Sequence, residues 1–297
     1  MADQSRTPSL PRPRTATLIV NTKSRKGQDQ FDEARHLLTA AGIEVDPHAI
    51  KDPEQLHVEV GKAVKAAAEM IIVGGGDGSL SSSVDLLVGS DVVFAFLPLG
   101  TANSFARSNA IPLDLPGAVD VIANGRVAEV DLGIIDDDYF CNCAAIGLAP
   151  QIAETIPHNL KRYLGRIGYL SWAGVELARF KAFTLIVDGE RMEATEVRIA
   201  NGRFQGGTEL VDAADPQSGE IVVQAVRGRT RFGLIKSWTA SLLRLPHRHA
   251  TTREFHGREL RIETDPPLPI SIDGEVLAHT PVTARVAPRA IRMMLPA

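Results

Sequence analysis

The sequence predicts an α/β domain followed by a mainly antiparallel β domain. In the first part of the chain, short apolar strands alternate with helical segments. The strands are predicted at residues 17–20, 43–45, 71–73 and 92–97, and the helices at residues 31–41, 53–68 and 80–88. Strands that are apolar on both faces are typical of a parallel sheet covered by helices on two sides.

From about residue 127 the helical pattern thins, apart from one stretch near residues 160–179. Short strands separated by Gly, Asp or Pro follow, which is typical of an antiparallel sheet. They are predicted at residues 128–134, 139–145, 183–187, 196–200, 221–226, 259–263, 269–272 and 282–286. The simplest arrangement is two domains with a ligand-binding cleft between them.

Composition excludes several classes of protein. The 297 residues are enough for two domains, and 44% hydrophobic and 23% charged residues are ordinary for a globular protein. The net charge of −4 argues against a general nucleic-acid binder. No run of 18 apolar residues occurs, so no membrane-spanning helix is expected. Residues 1–14 hold three Pro and three Arg and no apolar stretch, and we expect a disordered tail, not a secretory signal.

Cys141 and Cys143 are the only cysteines. On the strand predicted at residues 139–145 they point to opposite faces, which makes them poor disulfide partners. No further Cys or His stands at the spacing of zinc ligands. We expect two reduced, buried thiols and a cytoplasmic protein.

A glycine-rich loop follows the strand at residues 71–73 and leads into a helix. It reads Gly74-Gly75-Gly76-Asp77-Gly78-Ser79. Glycines let the backbone approach a phosphate, and N–H groups at a helix start attract anions. The spacing is neither that of a P-loop nor that of a dinucleotide-binding fold. A carboxylate in a phosphate loop needs a metal, a hydroxyl or a transferred proton beside it. The alternative is a tight turn with Asp77 as helix cap.

Three polar loops, at residues 21–27, 74–79 and 98–103, each follow a predicted parallel strand. Ligands bind beyond the carboxyl ends of such strands, so we expect the three loops to converge.

A second glycine block follows the strand at residues 92–97. It reads Pro98-Leu99-Gly100-Thr101-Ala102-Asn103-Ser104-Phe105-Ala106-Arg107. Together with residues 75–79, it closely resembles the catalytic domain of the diacylglycerol kinase and sphingosine kinase superfamily, in its soluble bacterial lipid kinase type. Further similar segments are Asn21-x-x-Ser24, Phe140-x-Asn142, Ala214-Asp215-Pro216 and Ile272-Asp273-Gly274-Glu275.

The resemblance implies phosphoryl transfer from ATP to a lipid hydroxyl, with Mg²⁺ as cofactor. It implies a three-layer, mostly parallel α/β nucleotide-binding domain at residues 15–127, of the NAD-kinase and diacylglycerol-kinase type. Residues 128–286 would form a β-sandwich for the lipid substrate, and residues 287–297 are expected to return to the first domain.

The predicted nucleotide-binding residues are Asn21, Lys26, Gly74, Gly75, Gly76, Asp77, Gly78, Ser79, Gly100, Thr101 and Asn103. Phosphoryl transfer depends on alignment and charge neutralisation. Lys26 can offset negative charge, Thr101 can supply a hydroxyl, and Asp77 can hold Mg²⁺ directly or through water. Asn103 can fix its loop or contact the nucleotide. As alternatives, Thr101 and Asn103 only cap a helix entering at Ala102, and Lys26 is a solvated cation.

The resemblance also implies Glu275 as the base that takes the proton of the acceptor hydroxyl, with Asp77 as the second catalytic residue. The alternative is a simple β-turn, since the same tripeptide occurs at Asp188-Gly189-Glu190, where we predict only a hairpin. Residues 273–275 are preferred because their place near the C-terminus fits the family.

The chain departs from the family pattern at several positions. Ser104 stands where the family usually has Asp, and Thr22 and Arg25 replace the usual Pro and Gly. Similar bacterial enzymes have Asp-Gly-x-Leu at a structural Mg²⁺, where this chain has residues 218–221, Ser-Gly-Glu-Ile. The candidate ligands of a structural metal are Asp215, Ser218 and Glu220, although a serine is a far poorer ligand than a carboxylate.

No acidic residue lies between Glu220 and Glu254, whereas arginines, Trp238 and several leucines do. Basic residues among Trp and Leu suit peripheral contact with an anionic membrane. Charge reversal at Arg244, Arg248 and Arg253 would test this. The alternative is a helix packed on the β domain with its arginines in water.

The sequence thus predicts an ATP-dependent lipid kinase with diacylglycerol as the default acceptor. The alternatives are an NAD-kinase-like enzyme acting on a soluble nucleotide, and a non-catalytic relative that binds nucleotide or lipid. Whether the chain forms a homodimer is left open by the sequence.

Overall fold

The computed structural model describes residues 11–23, 25–148, 150, 181–230, 239 and 251–297. The chain divides into two compact units, Met1–Leu132 with Pro288–Ala297, and Gly133–Ala287. The predicted helix near residues 160–179, most of the predicted tail and the residues 231–250 proposed for membrane contact, except Thr239, lie outside the described part. None of the described helices is long and apolar enough to cross a bilayer.

The first unit is an α/β structure. Its strands are β1 (Thr15–Asn21), β2 (Glu44–Ile50), β3 (Met70–Gly75), β4 (Val93–Pro98) and the first part of β5 (Arg126–Ile135), whose last three residues belong to the second unit. Its described helices are α1 (Arg25–Ala40), α2 (Glu54–Lys65), α3 (Asp77–Leu87), α4 (Ser104–Ser108) and α5 (Leu115–Asn124). Strand β1 pairs in parallel with β2 and β3, and β3 pairs in parallel with β4. Because both faces of β3 and β4 are buried, their sequences are apolar without alternation.

The helices of the first unit pack in pairs, α1 with α5 and α2 with α3. Helix α5 was not predicted, although its start carries a clear signal. The Asp114 carboxylate accepts a hydrogen bond of 2.8 Å from Gly117 N, and a proline occupies the first turn.

The second unit is built of antiparallel strand pairs. Its strands are β6 (Asp138–Phe140), β7 (Cys143–Gly147), β8 (Phe183–Val187), β9 (Glu190–Ala200), β10 (Phe204–Gln205), β11 (Thr208–Glu209), β12 (Ile221–Arg227), β13 (Thr252–Gly257), β14 (Glu259–Asp265), β15 (Pro269–Ile272), β16 (Glu275–His279) and β17 (Val282–Leu295). The core of this unit is aliphatic and includes Ile199, Val223 and Ile262, all without exposed surface. The predicted fold class, a mostly parallel α/β domain with an antiparallel β-sandwich, is confirmed.

Strand β17 belongs to both units. Its first residues pair with β14 in antiparallel orientation, from Val282 to Arg285. Further on, Arg292 and Met293 pair in parallel with Val93 and Phe94 of β4. Residues 288–297 therefore add a parallel strand to the sheet of the first unit.

Two sequence predictions about element boundaries were wrong. Residues 139–145 do not form one strand, because the backbone turns at Cys141 and Asn142 between β6 and β7. The helix expected to enter at Ala102 begins at Ser104, because Asn103 lies in the left-handed region with φ +48°. Strands β13 and β16 were not predicted.

Both cysteines are free thiols and buried, with 1% of Cys141 and 4% of Cys143 exposed. The prediction that both lie on one strand was wrong, because Cys141 lies in the turn and Cys143 begins β7. Burial raises the pKa of the Cys143 thiol from 9.0 to about 12.

At about pH 8 we expect iodoacetamide to leave both thiols of the native protein unmodified, because both are buried and the raised pKa of Cys143 also keeps it from forming the reactive thiolate. The protonated Cys143 thiol stabilises the fold below its unfolded pKa of 9.0, and this stability is lost as the pH rises toward about 12. Mass spectrometry of alkylated protein, native and in denaturant, measures the first effect, and Cys143→Ser serves as control. Rapid alkylation of native Cys143 would contradict the prediction.

Candidate functional site

The glycine loop of the first unit joins the end of β3 to the start of α3. Gly75 ends the strand, and Gly76 is extended, with φ −102° and ψ −173°, before α3 begins at Asp77. The first N–H groups of a helix have no acceptor within it, so those of Asp77 and Gly78 are available to a ligand. Gly78 is exposed, and no atom lies within 4 Å of the place where a Cβ would stand. The start of α3 therefore has open space beside free donors.

The second glycine loop is bound directly to the first. The Gly75 carbonyl accepts hydrogen bonds from Leu99 N at 2.8 Å and from Gly100 N at 3.1 Å. A Cβ on Gly100 would lie 2.5 Å from the Cα of Gly76. Because that neighbour is backbone, no side-chain rotation could relieve the clash. The predicted convergence of these two loops is confirmed, and it requires glycine at position 100.

Asn103 holds the second loop in shape. Its side chain is 4% exposed, and its Nδ2 donates to Pro98 O at 3.1 Å and to Gly100 O at 2.9 Å. Its Oδ1 accepts from Gly100 N at 3.1 Å. Both ends of the amide thus bind their own loop, and Asn103 makes no side-chain capping bond to α4. Thr101, which lies between Gly100 and Asn103 in this loop, is exposed.

Asp77 connects α3 with α4. Its Oδ2 accepts a hydrogen bond of 3.0 Å from Ser104 N, and its Oδ1 accepts one of 3.1 Å from Phe105 N. Ser104 is the position where the family usually has Asp, and this contact uses its backbone N–H only. Each carboxylate oxygen keeps a further lone pair for a ligand. Sequence reasoning did not foresee this bridge, because its ends lie 27 and 28 residues apart.

The loop after β1 adjoins the same edge, because Val20 pairs with Gly74. Asn21 Oδ1 accepts from Lys23 N at 3.0 Å, which closes a turn. Thr22 is buried and donates through its hydroxyl to Ile50 O at 3.1 Å. Lys26 is exposed in the first turn of α1. Ser24, part of the predicted motif, lies outside the described residues.

Glu275 lies in the second unit, at the first position of β16, and it is exposed. It follows a tight turn in which Asp273 and Gly274 have φ of +44° and +104°. Within the described part of the chain it makes no ion pair. A carboxylate that is exposed and uncommitted remains available to accept a proton.

The second copy of the tripeptide forms the same kind of turn between β8 and β9. Asp188 and Gly189 have φ of +47° and +86°. Glu190, however, receives both Nε and Nη2 of Arg253, at 3.1 and 3.0 Å. Hydrogen bonding to Arg253 lowers the pKa of Glu190. The two glutamates therefore differ in partner, although their local sequences agree.

The three candidate metal ligands of the second unit surround a turn. Ser218 Oγ donates to Asp215 O at 2.7 Å, and Asp215 Oδ1 accepts from Gln217 N at 3.0 Å. Glu220 N donates to Ser218 Oγ at 3.3 Å. Among the described residues, no group of three or more His, Cys, Asp or Glu could hold a metal ion. A structural metal at this turn stays a prediction.

Comparisons with known proteins cover nearly the whole chain. Residues 15–135 match the family described as Diacylglycerol kinase catalytic domain. Residues 145–295 match the family described as YegS C-terminal NAD kinase beta sandwich-like domain.

Several relatives of similar length match at moderate identity. A protein named probable lipid kinase YegS-like, from Klebsiella pneumoniae, is 27% identical over 95% of this chain and 96% of its own length. A diacylglycerol kinase of Staphylococcus haemolyticus is 27% identical over 87% of this chain and 81% of its own. An uncharacterized protein of Synechocystis is 28% identical over 80% of this chain. The matched part covers 59% of that longer protein.

The fold is also found among solved structures. A diacylglycerol kinase from Bacillus anthracis str. Sterne aligns with a TM-score of 0.73 at 20% identity, over 95% of this chain and 97% of that one.

Gly100→Ala should destabilise the first unit by about 1–3 kcal/mol, because its methyl group would force the two glycine loops apart. Gly78→Ala is the matched control, since its methyl group enters open space at a helix start and should change stability by less than about 1 kcal/mol. Denaturant unfolding measures both variants. A Gly100→Ala protein as stable as the parent would show that the loops are not in close contact.

Proposed function

The chain belongs to the diacylglycerol kinase family, and on that premise we propose that it is an ATP-dependent lipid kinase with diacylglycerol as acceptor. The observation that carries the proposal is the pair of hydrogen-bonded glycine loops at the carboxyl edge of the parallel sheet. The edge offers helix N–H groups, exposed glycines and an exposed threonine hydroxyl, which is the chemistry that binds phosphate oxygens.

ATP would be held through its phosphates by this edge. Backbone N–H groups at Gly76, Asp77 and Gly78 and the hydroxyls of Ser79 and Thr101 are the proposed donors. The open space beside Gly78 and the exposure of Gly100 and Thr101 support the proposal that phosphates bind at this edge. Gly74 and Gly75 would act by packing, because a Cβ on either would collide with Val20 or Ser79.

Asp77 is the residue proposed to hold Mg²⁺, since carboxylate oxygens are its preferred ligands and the bonds to α4 leave lone pairs unused. When bound, Mg²⁺ supplies charge neutralisation at the phosphates. Asn21 and Lys26, at the neighbouring loop, are proposed to add polar and positive groups. Asn103 is proposed to act indirectly, by fixing the loop that carries Thr101.

Glu275 is proposed as the base. The acceptor hydroxyl oxygen attacks the γ-phosphorus, the bond from that phosphorus to the β-phosphate oxygen breaks, and ADP leaves. The hydroxyl proton passes to Glu275, whose carboxylate has no ion-pair partner among the described residues. Glu190 is a poor candidate because Arg253 binds both of its carboxylate oxygens.

Glu275→Gln should lower kcat about 100-fold or more and leave the Kd for ATP nearly unchanged, because the amide cannot take the proton. Glu190→Gln is the matched control from the same tripeptide and should keep near-normal turnover. Labelled ATP with a panel of lipids, and with NAD as a soluble acceptor, measures transfer.

Normal turnover by Glu275→Gln would remove the assigned base. Phosphorylation of NAD alone would favour the NAD-kinase-like alternative. ATP or lipid binding without any transfer would favour a non-catalytic relative.

We propose that residues 221–253 contact an anionic membrane, with fewer of their arginines taking part than the sequence predicted. Arg253 is bound to Glu190 and lies over the ring of Phe255, 5.0 Å from its centroid, so it already has partners within the protein. The proposed membrane-binding cations are Arg244 and Arg248, which lie outside the described residues.

Reversing both charges, Arg244→Glu with Arg248→Glu, should reduce co-sedimentation with phosphatidylglycerol vesicles by about tenfold or more. The control reverses two exposed lysines elsewhere, Lys51→Glu with Lys65→Glu, and should change binding little. Equal losses in both double variants would mean that overall charge, not this region, governs binding.

A further inference from the structure

The carboxylate of Asp273 binds three consecutive backbone N–H groups. Its Oδ2 accepts from Cys141 N at 2.8 Å, and its Oδ1 accepts from Asn142 N at 3.2 Å and from Cys143 N at 3.3 Å. Asp273 N donates in return to Cys143 O at 3.3 Å. These bonds fasten the β15–β16 turn to the segment between β6 and β7, which lies 132 residues earlier at Cys141.

That earlier segment is itself fixed. The backbone carbonyl of Asn142 accepts from Asn201 N and Gly202 N, both at 2.9 Å. Asn201 Nδ2 donates to Cys141 O at 3.0 Å. Asp273 therefore binds to a rigid anchor, because the segment is hydrogen-bonded to the end of β9.

The anchor matters for Glu275 because strand pairing holds this residue on one side only, through its pairing with Ile272 of β15. Among the described strands, β16 is an edge strand of its sheet and pairs with β15. The pairing between these two strands is interrupted by a bulge between Ile270 and Ser271. The direction of the Glu275 side chain then depends on the backbone of the turn that precedes it.

We infer that Asp273 is a positioning residue, which holds Glu275 in the direction needed to accept a proton. The inference rests on the proposed role of Glu275. Asp273 does not itself take the proton, because both of its oxygens are engaged by backbone donors. It acts on the reaction through the turn.

The other tripeptide provides a matched control within the same chain. Asp188 Oδ1 accepts from Arg261 N at 2.9 Å, and Asp188 N donates to Arg261 O at 3.1 Å. Asp188 thus fastens an equivalent turn to a neighbouring strand. Asp188 accepts one such bond where Asp273 accepts three, and a purely structural role of Asp273 predicts that its loss of activity only follows its loss of stability.

The experiment compares Asp273→Asn with Asp188→Asn by steady-state kinetics and thermal unfolding. Asparagine tolerates a positive φ, so both turns are retained, but its NH₂ group cannot accept from the backbone donors. Asp273→Asn should lower kcat by about 10- to 100-fold, with little change in KM for ATP, because a displaced base lies out of reach. Asp188→Asn keeps an oxygen that can accept from Arg261 N, so it should change the Tm less and leave kcat unchanged.

A double variant tests whether Asp273 acts through Glu275. Adding Asp273→Asn to Glu275→Gln should cost little further activity, whereas independent roles would multiply the two losses. Asp273→Glu keeps the charge but moves the carboxylate, and it should lower kcat as well.

Unchanged kcat in Asp273→Asn and Asp273→Glu, or multiplied losses in the double variant, would overturn this inference while leaving the proposed kinase intact. Absence of transfer by the unmodified protein, or normal turnover by Glu275→Gln, would instead overturn the proposed function.

Discussion

The hydrogen bonds that join the two glycine loops are the constraint on which the first unit's candidate site depends. The Gly75 carbonyl binds the backbone of the second loop, and the Asp77 carboxylate binds the start of α4. Without these bonds, the ends of β3 and β4 would carry two separate turns. With them, the N–H groups of α3 and the hydroxyl of Thr101 lie at one edge of the sheet. The close approach of Gly76 and Gly100 then leaves no room for a Cβ at position 100.

The same device recurs in both units. An aspartate carboxylate accepts hydrogen bonds from backbone N–H groups that are remote in sequence. Examples besides Asp77 are Asp131 with Arg289 N at 2.7 Å, Asp188 with Arg261 N, and Asp273 with Cys141 N. Backbone donors away from water need acceptors, and a carboxylate has enough lone pairs to serve several. An acidic residue in a conspicuous motif is therefore as able to organise the backbone as to perform chemistry.

Several charged groups of the second unit are paired with one another where the structure describes them. Arg198 is 1% exposed and binds the Glu196 carboxylate and the Gln224 amide. Arg253 binds Glu190 on the surface. Arg253, one cation of the basic stretch seen in the sequence, therefore already has an anionic partner. The two identical tripeptides also differ in the partners of their glutamates. Glu190 is bound to Arg253, whereas Glu275 has no ion-pair partner among the described residues.

The sequence by itself determined the fold class and the location of the two glycine loops. Runs such as residues 71–73 are apolar because both faces of a parallel strand are buried. The first two glycines after residues 71–73 mark places where a Cβ would collide with a neighbouring group. Only the tertiary structure decided what the polar residues near these turns do. Asp77 and Asp273 have partners that local pattern cannot indicate, because their hydrogen bonds join segments brought together by folding, whereas Asn103 binds its own loop. For the same reason, the position of α4 and the break between β6 and β7 depended on contacts that sequence neighbours do not reveal.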